Sequence, residues 1–162
     1  MNFKALTMDH RALRTYCEPF DLDKENPVPL ANKLKMALSR MEGYGLAANQ
    51  IGCNKRMFAW RIDGKFEIVV NPTIAEVDDD MWSFQEGCLS IPGFWWNVER
   101  PKRIDLRGFN IKGEEILVET TLTEARIFQH EMDHMDGKLV IDLISEEELA
   151  EFTAKWEKRK KK

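Results

Sequence analysis

Gln129-His130-Glu131-Met132-Asp133-His134-Met135-Asp136-Gly137 is the stretch around which the rest of the chain is organised. Wound as a helix at about 3.6 residues per turn, it sets His130 and His134 one turn apart on one face, where two ring nitrogens can hold a single metal ion. Glu131 then projects beside that ion. A carboxylate so placed can take a proton from water that the cation has acidified and pass it to a leaving group. Two surface histidines that happen to be spaced by four are the plain alternative. Against it, the chain has only three His, and two of them fall in this HExxH pattern.

The surrounding sequence gives this helix a start and a stop. Thr121 with Glu124 three positions later is a capping box, and Gly137 closes the helix. Ser145 with Glu148 marks a second box. The tail from about Glu146 is therefore expected to be a final helix, acidic at its start and basic at its end, as the helix dipole prefers. Upstream, residues 1 to 25 read as an irregular arm interrupted by Pro19. Asn26 as cap and Pro27 next to it open a helix whose stripe is Leu30, Leu34, Ala37, Leu38 and Met41, stopped by Gly43 and Gly45.

Between these helices the period is two. Phe58, Trp60 and Ile62 alternate, Asp63-Gly64 is a hairpin turn, and Phe66, Ile68 and Val70 alternate again, with Pro72 expected to end the pair. Asp78-Asp79-Asp80 reads as a turn before a short strand, Met81-Trp82-Ser83-Phe84, leading into Glu86-Gly87-Cys88-Leu89-Ser90. Ile104 and Leu106, then Ile116 and Val118 beyond Lys112-Gly113, predict a further hairpin. No internal repeat, linker or second domain shows. The reading is a single α+β domain over residues 1–162, with short antiparallel strands packed around the central metal-binding HExxH helix and a C-terminal helix (146–162) with a basic end.

Composition agrees with a soluble globular chain. Of 162 residues, 43% are apolar and 32% charged, and no apolar run approaches the roughly 20 residues that a membrane span needs. The start, Met1-Asn2-Phe3-Lys4-Ala5-Leu6, lacks the apolar core of a secretory signal, so a cytoplasmic location is expected. Cys17, Cys53 and Cys88 are odd in number, far apart and without a CxxC pair, which argues against a disulfide framework. A net charge of -4 gives no global case for nucleic acid, DNA included. The basic end, Lys155, Lys158, Arg159, Lys160, Lys161 and Lys162, reads first as a solvated terminus.

Two imidazoles need a third ligand. A third His at position 140 would complete the longer HExxHxxGxxH pattern, but Val140 stands there. Glu151 is a candidate on a helix that looks amphipathic and solvated, and His10 lies in the arm with nothing around it to mark a ligand. Cys88 is the strongest of the thiols, at a strand end beside Gly87, with an ordinary buried thiol as the competing reading. Two imidazoles and one thiolate leave a tetrahedral ion with one open position, as catalytic sites have.

With these residues assembled, the chain resembles the peptide deformylase family. Three short motifs carry the resemblance in order: Gly43-Tyr44-Gly45-Leu46-Ala47-Ala48-Asn49-Gln50, Glu86-Gly87-Cys88-Leu89-Ser90, and Gln129-His130-Glu131-Met132-Asp133-His134. It extends to Met8-Asp9-His10-Arg11-Ala12-Leu13-Arg14 and to Val98-Glu99-Arg100. The resemblance implies removal of the formyl group from N-formylmethionine at the start of nascent peptides, giving formate and a free amine. It assigns the metal to Cys88, His130 and His134, acid and base work to Glu131, and hydrogen bonds to the formyl oxygen to Gln50 and the backbone N–H of Leu89. Gly45 would pair with the substrate backbone, Arg100 would lie on the substrate side, and Gln129 and Asp133 would steady the imidazoles or neighbouring backbone. The family's physiological ion is usually Fe(II), and this ligand set also admits Zn(II), Ni(II) and Co(II).

The chain departs from the family pattern in places. Tyr44 stands where the family usually has a small or branched aliphatic residue, so the cleft wall beside Gly45 should be bulkier or more polar. Arg126, one turn before His130, takes a position expected to be apolar in a methionine pocket; it reads either as a surface charge or partner to a nearby carboxylate, or as a substrate-side group. Phe94-Trp95-Trp96 is a lid or pocket wall, or packing. Two other functions compete: a general HExxH endopeptidase, and a binding module with a structural metal whose basic tail docks on RNA. Contact of that tail with the ribosome is compatible with the deformylase reading.

Overall fold

The structure is a computed structural model that describes residues 4–161; Met1, Asn2, Phe3 and Lys162, the last residue of the expected basic end, lie outside the described residues. Asn26 accepts the Val28 N–H through Oδ1 at 3.0 Å, and Pro27 needs no helical donor there, so helix α1 (Val28–Leu38) begins where the sequence puts it. Its buried stripe is Ala31, Leu34, Ala37 and Leu38.

The chain then enters a five-stranded antiparallel sheet. Strand β1 (Gly45–Ala47) pairs with β2 (Met57–Ile62), which pairs with β3 (Lys65–Val77) across Asp63-Gly64. Both turn residues have positive φ, +49° and +77°, as a tight primed hairpin turn requires. Pro72 does not end β3 as expected. Asn71 adopts φ +49°, and the register shifts between Val70 and Thr73; that irregularity takes a residue without an N–H, and the strand continues to Val77.

Strands β4 (Met81–Cys88) and β5 (Ile91–Pro101) form a separate two-stranded ribbon. The aromatic run belongs to β5: Trp95 is 63% exposed while Trp96 is buried, because neighbouring strand residues face opposite sides. Strands β6 (Ile104–Phe109) and β7 (Glu115–Val118) complete the main sheet in the order β1-β2-β3-β6-β7.

Helix α2 (Leu122–Met135) lies against that sheet. Thr121 and Glu124 form the expected reciprocal cap, and Ala125, Phe128, Met132 and Met135 join Phe58, Trp60 and Val69 in the core. Gly137 takes φ +74°, and a Cβ there would come within 2.9 Å of the Arg14 backbone, so the helix end and the N-terminal arm approach too closely for a side chain. Helix α3 (Glu146–Lys160) is capped by Ser145 and Glu148 and buries Phe152 and Trp156 on the ribbon. The ring centroids of Phe152 lie 4.9 Å from Phe94 and 5.2 Å from Trp96, both edge-on. No helix among the described residues is long and apolar enough to cross a membrane.

Candidate metal centre

The site forms where three separate elements meet. Helix α2 presents His130, Glu131 and His134; the end of β4 presents Cys88; the 3-10 turn after β1 (Ala48–Ile51) presents Gln50. The ligating atoms of Cys88, His130 and His134 all lie within 4.8 Å of one another, and Cys88 Sγ is 3.3 Å from His134 Nε2. A tetrahedral shell with bonds of roughly 2.0–2.3 Å spaces its donors by roughly 3.5 Å, so this cluster fits a divalent ion in both donor chemistry and span. Its remaining side opens onto a cleft of about 570 Å³.

The supporting groups come from the same motifs. Glu86 Oε2 lies 3.2 Å from His130 Nδ1, which leaves Nε2 as the ring nitrogen that could ligate an ion. Glu86 in turn accepts from Arg100 Nε at 2.6 Å and Nη2 at 3.0 Å, while Arg100 Nη1 reaches Asp133 at 2.9 Å. Burial works to raise the Glu86 carboxyl, but the hydrogen bonds of His130 and Arg100 outweigh it and hold the group at about 2. Gln129 donates to the Pro101 carbonyl at 3.0 Å and so joins α2 to β5. Asn49 donates to the His134 carbonyl at 2.5 Å, holding the first motif against the third.

Burial and the charge on His130 keep His134 neutral, the form that ligates. At His130 burial opposes the proton, yet the hydrogen bonds with Cys88 and Glu86 reverse the sign and raise its basicity; a cation bound there would have to displace that proton. Burial pushes the Glu131 carboxyl up to about 7, with Oε2 unpartnered among the described residues. A carboxylate poised near neutrality suits a group that must both take and return a proton. Gln50 accepts the Ala47 N–H through Oε1 at 2.9 Å, which points Nε2 at Ser90 Oγ (3.2 Å) and toward Cys88 Sγ (3.9 Å). Leu89 sits in the β4–β5 turn and lines the cleft with Tyr44, Phe84 and Trp95.

One position differs from expectation. Arg100 does not line the cleft: it is buried and committed to Glu86 and Asp133, so it lies behind the Cys88, His130 and His134 cluster rather than on its cleft side. A Cβ at Gly45 would collide first with the Glu131 carboxylate and with Ile127, so the absent side chain makes room for that carboxylate. Glu86, Ser90 and Asn49 gained no role from sequence beyond membership of a motif. The signal for Glu86 was its place two residues before Cys88, which on a strand turns it to the same side.

A family model described as polypeptide deformylase matches residues 3–150. A peptide deformylase of Acidothermus cellulolyticus is 41% identical over 137 residues, covering 84% of this chain and 75% of that protein. A solved peptide deformylase from Legionella pneumophila aligns with a TM-score of 0.91 at 30% identity, covering 99% of this chain and 96% of the other. One from Thermotoga maritima aligns at 0.84 with 34% identity, over 90% and 99% respectively. Motifs, site and fold thus agree over most of the sequence, and the chain belongs to the polypeptide deformylase family.

Proposed function

We propose a division of labour for the family's reaction, the metal-dependent removal of the N-formyl group from the formylmethionine of nascent peptides with release of formate. The observation that carries it is the convergence of the Cys88 sulfur with the His130 and His134 rings beside Glu131, at the floor of an open cleft. A divalent ion held by those three ligands acidifies water and polarises a carbonyl when bound. Glu131 takes the proton of the attacking water at its carboxylate and returns it to the leaving amine. Gln50 Nε2 and the Leu89 N–H donate to the formyl oxygen as it gains charge; losing one such donor costs about 3–4 kcal/mol of transition-state stabilisation. Gly45 lies along the substrate backbone, and Tyr44 walls the cleft beside it.

We assign Fe(II) as the working ion by likeness to the family, where it is the usual one; Zn(II), Ni(II) and Co(II) fit the same thiolate and imidazole donors. The enzyme would work in the cytoplasm, where formylated chains emerge. Among the described residues of the basic end, Arg159 is bound to the Pro92 carbonyl, Lys160 to Asp9 and Lys155 to Glu151, which leaves Lys158 and Lys161 for any ribosome contact there.

The test is formate release from formyl-Met-Ala-Ser by anaerobically purified protein, beside the acetylated peptide and an internal-peptide analogue. Release from the formyl peptide alone, lost on chelation and restored by Fe(II) or Co(II), is expected. Cleavage of internal bonds would make it an endopeptidase.

A further inference from the structure

Arg126 is a cation in the cleft wall that the chemistry above does not use. It is 8% exposed, one turn before His130 on α2, and its guanidinium is turned into the ribbon. Nη1 donates to Glu86 Oε1 at 2.6 Å and to the Val98 carbonyl at 3.0 Å; Nη2 donates to the Trp82 carbonyl at 2.6 Å. The guanidinium carbon stands 4.9 Å from the centre of the Trp82 ring. One side chain of α2 thus grips both strands of the ribbon and the carboxylate behind His130.

The topology makes that grip consequential. The β4–β5 ribbon is a separate sheet from the five strands on which α2 rests, so strand pairing does not set where Cys88 sits relative to the two imidazoles. Side chains tie it to α2: Glu86 to His130, Arg100 to Asp133, Gln129 to Pro101, and Arg126. Of these, Arg126 makes bonds to both ribbon strands, and only a planar guanidinium reaches a carboxylate and two carbonyls together; a lysine ammonium at that distance is a single point.

We infer that Arg126 is a positioning residue that holds the Cys88 sulfur in register with His130 and His134, pre-forming the cradle for the ion, and is not a contact for the peptide. The inference rests on reading those three residues as the metal centre.

The test titrates metal-free protein with Co(II) and follows the thiolate-to-cobalt absorption band, with melting temperature as a fold control. Arg126→Met is expected to weaken Co(II) binding by about 10- to 100-fold. In the loaded enzyme it lowers kcat and leaves KM for the formyl peptide unchanged. Arg126→Lys recovers only part of the affinity, and Arg126→Gln replaces the Met variant should that one not fold. Wild-type Co(II) affinity with a raised KM would overturn the inference and make Arg126 a peptide contact. A wild-type protein that gives no thiolate band, or whose band survives Cys88→Ser, would remove the metal centre itself.

Discussion

Glu86 Oε2 stands 3.2 Å from His130 Nδ1, so the motif that carries the Cys88 sulfur also supplies the carboxylate that orients one of the two imidazoles. Sulfur and carboxylate are two residues apart on one strand. Moving β4 therefore moves both.

Replacing Glu86 by Gln should damage stability and metal retention together. Arg100 and Arg126 both point at this carboxylate from buried positions, and removing its charge leaves Arg126 uncompensated and Arg100 with Asp133 alone, a loss of about 3–5 kcal/mol for a broken buried pair. The imidazole loses its orienting partner as well, which weakens metal binding by about 10- to 100-fold. Thermal melts and chelator competition on Glu86→Gln check both. Wild-type metal retention would show that Glu86 only neutralises the arginines.

Glu131→Gln separates catalysis from metal binding. The amide fills the same space but cannot accept and return the proton, so turnover should fall by roughly 10²- to 10⁴-fold while metal content stays at the wild-type level. Formate release and metal analysis on one preparation decide it. Near-normal turnover would move the base to another group.

Gly45→Ala tests the crowding around that base. The added methyl meets the Glu131 carboxylate and Ile127, and overpacking of this kind costs about 1–3 kcal/mol. Displacing a proton carrier by about 1 Å is worth roughly 10²-fold in rate. We expect a folded, metal-replete protein with that kinetic loss, read from kcat at saturating formyl peptide. An unimpaired kcat would mean that the carboxylate can stand elsewhere.

What was legible in the sequence is what is local. The caps at Thr121/Glu124 and Ser145/Glu148 and the Asp63-Gly64 turn each depend on residues within a few positions of one another, and each stands as read. Strand β5 was not legible through its aromatic run because Phe94, Trp95 and Trp96 show no alternation. The face that buries Trp96 is closed by Phe152 and Trp156, some 60 residues away in α3. Arg100 was misplaced for the same reason: a charge on a strand names no partner, and its partners Glu86 and Asp133 come from two other elements. Motif resemblance brought the ligands together, but the carboxylate behind them needed the fold.

Cys17 gives a pH test away from the metal. It is fully buried, and its N–H donates to the Met135 carbonyl at 2.8 Å, pinning the arm to the end of α2. Burial pushes its thiol from 9.0 up to about 11, with Arg56 pulling the other way. A raised folded pKa means that the protonated thiol favours the fold. That contribution is whole below about pH 9 and is lost as pH rises through about 11. Two pH units correspond to about 3 kcal/mol at most. Lysines and tyrosines titrate in the same range, so the comparison must be with Cys17→Ala: wild type should lose stability more steeply than the variant between pH 9 and 11 in denaturant melts. At pH 8 the native protein should also protect Cys17 from alkylation while the partly exposed Cys53 reacts. Parallel stability curves would place the ionised thiol in contact with water, and with it the seam between the arm and α2.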